Sequence, residues 1–182
     1  MGIVIKSARE IALMRQAGRV VAIALEVLAG SLKPGMKTKE LDRIAAGELR
    51  RFGAVSSFKG YRGFPATVCV SVNDEIVHGI PGPRVLHEGD VVSLDIGAIY
   101  QGFQGDGAVT VGIGKVSPEA TSLIETAKAA LEAGIARARA GSHLGDVSSA
   151  IGEYAGSRGY SVVRDYTGHG IGRDMHEEPQ IP

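Results

Sequence analysis

VVSLDIGAIYQGFQGDGAVTVGIG, residues 91–114, reads as two apolar strands joined by a tight turn, and each strand carries one acidic residue. The acids are Asp95 and Asp106, and a turn signal at residues 100–102 lies at their midpoint. In an antiparallel hairpin centred there, the two aspartates stand directly opposite each other, with Cβ atoms about 4.5–5.5 Å apart. Two ionised carboxylates that close repel each other and lose hydration. Either they share a proton, or a cation lies between them.

A divalent metal is the favoured explanation for the two acids, because the chain carries histidines further along. His169 is the natural nitrogen ligand, since the glycines that flank it in TGHGIG allow close approach to a ligand. The alternative is a loop histidine that bonds a backbone carbonyl. A nitrogen donor would favour a transition metal over Mg²⁺ or Ca²⁺.

The other histidines divide into candidates for substrate contact and candidates for structure. His176 lies in DMHEEP, seven residues beyond His169, a spacing that does not require both to bind one ion. It is a candidate hydrogen-bond donor to a substrate carbonyl. His78, in VNDEIVHGIPG, suits substrate contact or proton transfer, with a solvated loop histidine as the alternative. His87 and His143 lie in turn contexts and are predicted to be structural or solvent-facing.

Composition places the chain among ordinary globular proteins. It has 182 residues, 44% apolar residues and a formal net charge of zero, which argues against electrostatic binding to nucleic acid or to an anionic membrane. The single cysteine, Cys69, cannot form an internal disulfide and is predicted to be a buried, unreactive thiol. With no signal peptide and no long apolar run, the sequence predicts a cytoplasmic protein.

Helical spacing and alternation predict a sequence of helices and strands that repeats in the second half of the chain. The predicted elements are helices over 7–31 and 38–53, a strand over 67–73, the aspartate hairpin over 91–113, helices over 118–140 and 144–158, and a strand over 160–166.

Glycines bracket the second helix of each half at one spacing. Gly35 and Gly53 recur 106 residues later as Gly141 and Gly159, so each pair encloses a helix of the same length. The pattern indicates an internal duplication of a helix–helix–strand unit, with chance among 26 glycines as the alternative. The aspartate hairpin has no counterpart before the sequence stops at Pro182, so we expect C-terminal strands to be missing.

At these motifs the chain resembles the methionine aminopeptidases of the bacterial type I kind. The resemblance rests on SVNDEIVHGIPG (71–82), GDVVSLDIGAIYQGFQGD (89–106) and GHGIGRDMHEEPQIP (168–182), and it extends over the chain from about residue 5. It implies an α/β (α+β) pita-bread fold of the creatinase/aminopeptidase kind. In that fold, pseudo-symmetric helix–helix–strand units surround a curved antiparallel sheet, here as a single metallopeptidase domain over 1–182 that lacks its C-terminal strands.

The resemblance implies a role for each motif residue. Asp95 would bind one of two divalent ions, Asp106 would bridge both, and His169 would ligate the second, the metal being Co, Mn, Fe or Zn. His78 would contact the substrate and assist the scissile amide, and His176 would stabilise the carbonyl oxygen. The implied methionine pocket is lined by Tyr61, Phe64, Cys69 and Met175.

The implied activity is metal-dependent removal of the initiator methionine from nascent polypeptides, with ribosome association as a further expectation from the family. Two other interpretations compete with it. A prolidase or X-Pro aminopeptidase shares the fold, but a long N-terminal domain normally precedes its catalytic unit. A catalytically silent pita-bread module would bind peptides, but it has no reason to keep two buried acids beside each other.

Three departures from the family pattern bear on activity. The family's metal shell contains two glutamates from later strands, which are not the glutamates of HEEP, so we expect weak metal binding and poor turnover by the 182-residue chain. Gln104 stands where a histidine is common. Gly107 and Ala108 replace hydroxylated residues, and these changes together predict weaker orientation of Asp106.

Overall fold

Two long strands form the centre of the protein, as the alternation of residues 91–114 predicts. The computed structural model describes residues 2–182. In it, β3 (Val91–Tyr100) pairs antiparallel along its whole length with β4 (Phe103–Gly112). β3 also pairs antiparallel with β1 (Val55–Ser56) and β2 (Val68–Val72). The predicted hairpin and the predicted strand over 67–73 are therefore confirmed.

The turn between β3 and β4 contains two residues. Tyr100 pairs with Phe103, which leaves Gln101 and Gly102 as the loop, with φ angles of 48° and 81°. Positive φ at both positions is the pattern of a type I′ hairpin turn, whose twist matches that of the flanking strands. The turn centre therefore lies one residue further along the chain than predicted.

This turn makes the two acids diagonal neighbours. Asp95 lies opposite Ala108, and Asp106 lies opposite Gly97. The prediction that the two aspartates stand directly opposite each other was therefore wrong, because moving the turn centre by one residue moves each partner by two. Since side chains alternate with a period of two, both acids still point to the same face of the sheet.

The opposite face of the sheet is apolar and two helices cover it. Val92, Leu94 and Ile96 are fully buried there. They pack with α1 (Ala8–Ser31) and α2 (Thr38–Arg51) in one core, to which the helices contribute Val20, Val21, Ala24, Leu28, Leu41, Ala45 and Leu49. Burial of each large aliphatic side chain contributes about 1.5–3 kcal/mol, so this core is the main source of stability.

Local hydrogen bonds fix where the two helices begin. The Ser7 hydroxyl accepts from the backbone N–H of Glu10, and the Glu10 carboxylate accepts from the Ser7 N–H at 2.9 Å, which forms a capping box. At the start of α2, the Glu40 carboxylate accepts from the Lys37 N–H at 2.8 Å. Both predicted helices are confirmed at their expected positions.

Close packing of α1 on β4 depends on a glycine. A Cβ atom added at Gly105 would lie 2.6 Å from the backbone carbonyl of Ala17, whereas one added at Gly18 on the helix would meet nothing within 4 Å. We expect Gly105→Ala to lower the free energy of unfolding by about 2–3 kcal/mol, because the helix must move off the strand. Gly18→Ala should raise it by up to about 1 kcal/mol through helix propensity. Urea unfolding of both variants checks this, and equal stabilities would contradict the packing.

Contacts divide the chain into two compact units. The first comprises the chain through Val116 together with Ile171–Glu178, and it contains the sheet described above. The second comprises Ser117–Gly170 and Pro179–Pro182. Its helices are α3 (Pro118–Arg137) and α4 (Leu144–Ser157), which pack against each other. Two short strands, β5 (Gly168–Gly170) and β6 (Glu177–Ile181), pair with each other.

The two helix pairs match at a constant offset of 106 residues. The ends of α1 and α3, the starts of α2 and α4 and the ends of α2 and α4 all differ by 106. The Asp146 carboxylate accepts from the His143 N–H at 2.8 Å, which repeats the cap of α2. This correspondence supports the predicted duplication. Only the beginning differs, since α1 has 24 residues and α3 has 20.

The strand predicted over 160–166 was wrong. Residues 160–166 form no strand, and Val162, Val163 and Tyr166 are about half exposed. β-Branched residues favour a strand only where a neighbouring strand takes their hydrogen bonds and covers their side chains. Within residues 2–182, no strand pairs with this segment.

None of the helices within residues 2–182 is long and apolar enough to span a bilayer.

Candidate functional site

The face of the sheet away from α1 carries the two acids. Asp95 pairs in register with Cys69 on β2 and with Ala108 on β4, and Asp106 lies two residues before Ala108. Residues paired in register point to the same face, so Cys69, Asp95 and Asp106 share it. These three residues of the candidate site thus lie on the neighbouring strands β2, β3 and β4.

Burial and mutual repulsion disfavour charge on this face. Burial raises the pKa of Asp95 to about 7, and the neighbouring Asp106 adds to the rise. Burial likewise raises the pKa of the Cys69 thiol to about 12, with Asp95 and Asp106 contributing. Cys69 is buried and free of disulfides, so the predicted burial of the thiol is confirmed. Two close carboxylates whose negative charges repel each other form a donor set that suits a divalent cation.

The third predicted metal ligand lies in the other unit. His169 is the central residue of β5, and its Nδ1 lies 3.0 Å from the carbonyl oxygen of Gly170. That contact agrees with the alternative of a loop histidine bonded to a backbone carbonyl. Among residues 2–182, no three histidine, cysteine or acidic side chains are gathered closely enough to hold a metal ion. A shell of Asp95, Asp106 and His169 therefore stays a prediction.

Two predicted site residues that are 115 positions apart in the sequence are in direct contact. The hydroxyl of Tyr61, at the start of a 3₁₀ turn (Tyr61–Gly63), lies 3.0 Å from Nδ1 of His176. The two rings also stack, with centroids 5.6 Å apart and an interplanar angle of 20°. Met175, the residue before His176, is buried. The structure thus joins a predicted substrate-contacting histidine to a predicted pocket residue.

The loop that carries Tyr61 reaches the sheet beside Asp106. A Cβ atom added at Gly97, the residue opposite Asp106, would lie 2.7 Å from both Phe58 and Ser57. Phe58 in turn contacts Phe64 edge to face, with ring centroids 6.3 Å apart. The rings of Phe58 and Phe64 form an apolar wall beside Gly97. The methionine pocket of Tyr61, Phe64, Cys69 and Met175 stays a prediction.

His78 has an unusual backbone conformation that its neighbour explains. Its φ is 62°, in the left-handed region that residues other than glycine seldom adopt. The next residue, Gly79, lies so close to the backbone of Val70 on β2 that no Cβ fits, and its N–H donates to the Ser71 hydroxyl at 3.1 Å. Such strain is typical of functional positions. The hydrogen bonds of Gly79 with Val70 and Ser71 hold His78 beside β2. By contrast, the side chains of His87 and His143 are 75% and 92% exposed, as predicted.

Two of the residues that depart from the family pattern, Gln104 and Gly107, have structural explanations. The buried Gln104 accepts a hydrogen bond from the Ser57 hydroxyl at 2.6 Å and donates to the carbonyl of Arg173 at 3.3 Å. Gly107 lies on the helix side of the sheet, where an added Cβ atom would be 3.2 Å from Val21. A side chain at Gly107 would therefore point away from the acids. Weaker orientation of Asp106 stays a prediction.

Residues 171–178, here called the His176 segment, contain contacts that no sequence pattern indicates. The Glu177 carboxylate accepts from the backbone N–H groups of Arg173 and Asp174, at 2.9 and 3.3 Å. It also pairs with the Lys6 ammonium, which lowers the pKa of Glu177. Lys6 and Glu177 are 171 residues apart. Periodicity and motif spacing are local signals, so they could not reveal this contact.

Comparison with known proteins identifies the class to which this sheet and these helix pairs belong, a metallopeptidase. The profile of Metallopeptidase family M24 matches residues 12–182. A methionine aminopeptidase from Clostridium acetobutylicum is 51% identical over 181 residues, which is 99% of this chain and 72% of that protein. The crystal structure of a methionine aminopeptidase from Thermotoga maritima superposes with a TM-score of 0.97 at 42% identity, covering 100% of this chain and 73% of that one. The chain belongs to the methionine aminopeptidases of metallopeptidase family M24.

The competing prolidase interpretation is less well supported. An X-Pro aminopeptidase from Thermotoga maritima superposes with a TM-score of 0.81 at 27% identity, and the chain covers 49% of it. The pita-bread fold predicted from the sequence is confirmed by these neighbours.

Proposed function

We propose that this chain is a divalent-metal-dependent hydrolase that removes the N-terminal methionine of nascent polypeptides. The observation that carries the proposal is the pair of carboxylates on one face of the sheet, diagonal to each other and beside an apolar wall. Membership of the methionine aminopeptidases supplies the substrate class. The single buried cysteine agrees with a reducing cytoplasm.

The metal would be held by Asp95 and Asp106, with His169 as the nitrogen donor. Two divalent ions are proposed, of Co, Mn, Fe or Zn, since carboxylate and imidazole donors suit all four. When bound, the metal would polarise the first peptide carbonyl and lower the pKa of a water molecule. Cys69, held protonated beside Asp95, would neither ligate as a thiolate nor attack the substrate.

His176 would donate a hydrogen bond to the carbonyl oxygen of the scissile bond. If the Tyr61 hydroxyl donates to Nδ1, the neutral imidazole carries its proton on Nε2, where it can donate to the substrate. Stacking on Tyr61 holds the ring in place, so the donor is oriented before the substrate binds. His78, fixed by Gly79 against β2, would assist the leaving amine.

The methionine side chain of the substrate would pack against the apolar wall. Phe64, Tyr61, Met175 and Cys69 offer aromatic and sulfur-containing surfaces that suit an unbranched thioether. A substrate with a β-branched first residue should fit poorly there.

The direct test is release of free methionine from Met-Ala-Ser, with Mn²⁺ or Co²⁺ added. We expect slow release, in line with the weak metal binding predicted from the sequence, that a chelator abolishes and that excess metal restores. Val-Ala-Ser and acetyl-Met-Ala-Ser are matched control peptides, since the first changes the side chain and the second blocks the amine. No release by folded protein with any of the four metals would contradict the proposed function.

A further inference from the structure

The His176 segment has little regular structure of its own. Residues 172–176 form bends, and β6 begins at Glu177. The position of the His176 ring therefore depends on the contacts that hold the neighbouring backbone. Two side chains make such contacts, those of Gln104 on β4 and of Glu177 within the segment.

Gln104, at the start of β4, holds the segment. Its backbone N–H donates to the carbonyl of Gly172 at 2.8 Å, and its side-chain amide donates to the carbonyl of Arg173 at 3.3 Å. The same side chain is fixed by Ser57 in the Tyr61 loop. These bonds anchor the first half of the segment to the sheet.

The Glu177 carboxylate holds the segment from within. Besides the N–H groups of Arg173 and Asp174, it packs against Gly172 so closely that a Cβ atom there would overlap it. A glycine at 172 is therefore required for the carboxylate to occupy the centre of the turn. One carboxylate thus fixes the three residues 172–174.

The Lys6 ammonium, in the segment before α1, neutralises the charge on Glu177. The side chains of Lys6 and Glu177 are only 14% and 12% exposed. Lys6 also donates to the carbonyl of Val4 at 3.0 Å, and Arg173 lies 3.4 Å from Glu10 at the start of α1. The chain before α1 and the first turn of α1 therefore contact the segment that presents His176.

We propose that Glu177 is a positioning residue for His176, acting through the 172–174 turn and its ion pair with Lys6. This inference rests on the proposed function. Glu177 follows His176 directly, so releasing its carboxylate frees the backbone on the C-terminal side of the histidine. The imidazole would then leave its stacked position on Tyr61. Small displacements of this kind reduce the catalytic rate much more than substrate binding.

Glu177→Gln tests the proposal, with Glu178→Gln as the matched control. Glu178 is the next residue and is exposed, so its substitution changes the net charge equally. We expect Glu177→Gln to lower kcat about 10-fold with KM changed less than about two-fold, and Glu178→Gln to stay within about two-fold of the parent. Equal kcat values for the two variants would overturn the proposal.

A second measurement does not depend on activity. Nuclear Overhauser contacts between the rings of Tyr61 and His176 should persist in Glu178→Gln and weaken in Glu177→Gln. Loss of stability in Glu177→Gln with these contacts intact would mean a purely structural role and would also overturn the proposal. If the parent chain releases no methionine, the proposed function fails, while the ring contacts still decide whether Glu177 positions His176.

A double-mutant cycle separates the ion pair from the turn. Lys6→Met should lower kcat in the same direction as Glu177→Gln, and the double variant should be no slower than Glu177→Gln alone. Additive losses would exclude the pair as the unit that acts on His176.

Discussion

Asp106→Asn should abolish methionine release while making the metal-free protein more stable at pH 8. The substitution removes a carboxylate ligand, and even the loss of an outer partner of a ligand costs about 10–100-fold in metal affinity or activity. We therefore expect Mn²⁺ affinity and methionine release to fall by more than about 100-fold. The gain in stability follows because Asp95 no longer faces a second charge on the same buried face.

Isothermal titration with Mn²⁺, the Met-Ala-Ser assay and thermal unfolding in chelator measure the three effects. Asp165→Asn is a matched control, since Asp165 is exposed. A silent peptide-binding module would gain stability in Asp106→Asn without having any activity to lose. Unchanged Mn²⁺ affinity would contradict the assignment of Asp106 as a ligand.

Stability of the metal-free protein should fall as pH rises from about 4 to about 7. The pKa of Asp95 is 3.8 in its ordinary state and about 7 in the folded protein, so the folded state binds the extra proton between these values. The stabilisation is fully present below about pH 4 and is lost as pH rises through about 7. At about 1.36 kcal/mol for each pKa unit, the change is on the order of 4 kcal/mol.

The free energy of unfolding, compared between the parent and Asp95→Asn across this range in chelator, isolates the effect. Asparagine has no proton to lose, so the Asn variant should become more stable relative to the parent by this amount as pH rises. Asp90 and Glu177 have lowered pKa values and act in the opposite direction, but they are common to both proteins. A difference that does not change with pH would mean that Asp95 is not protonated in the folded state.

Local patterns predicted the helices and the hairpin because these elements follow from periodicity. They did not predict the register, since the paired acids suggested a turn centred on the acids themselves. Pairing the aromatic residues Tyr100 and Phe103 would have given the correct two-residue loop, Gln101-Gly102. Register is decided by the turn, and a single residue there changes every cross-strand neighbour.

Other parts of the site depend on contacts between distant residues. The strand predicted over 160–166 needed a partner that residues 2–182 do not supply. The stacking of Tyr61 on His176 joins residues 115 positions apart, and no spacing rule indicates it. The sequence thus predicted which residues carry chemistry, while their mutual orientation required the folded structure.

The difference in length between α1 and α3 marks where the two helix pairs cease to match. After the helix pairs are matched at 106 residues, the first half retains one additional helical turn, which contains Glu10. Glu10 in that turn and Lys6 before the helix both contact the His176 segment. The position 106 residues after Glu10 precedes α3, so the contact between Glu10 and Arg173 has no counterpart in the second helix pair. This contact therefore breaks the pseudo-symmetry of the two halves.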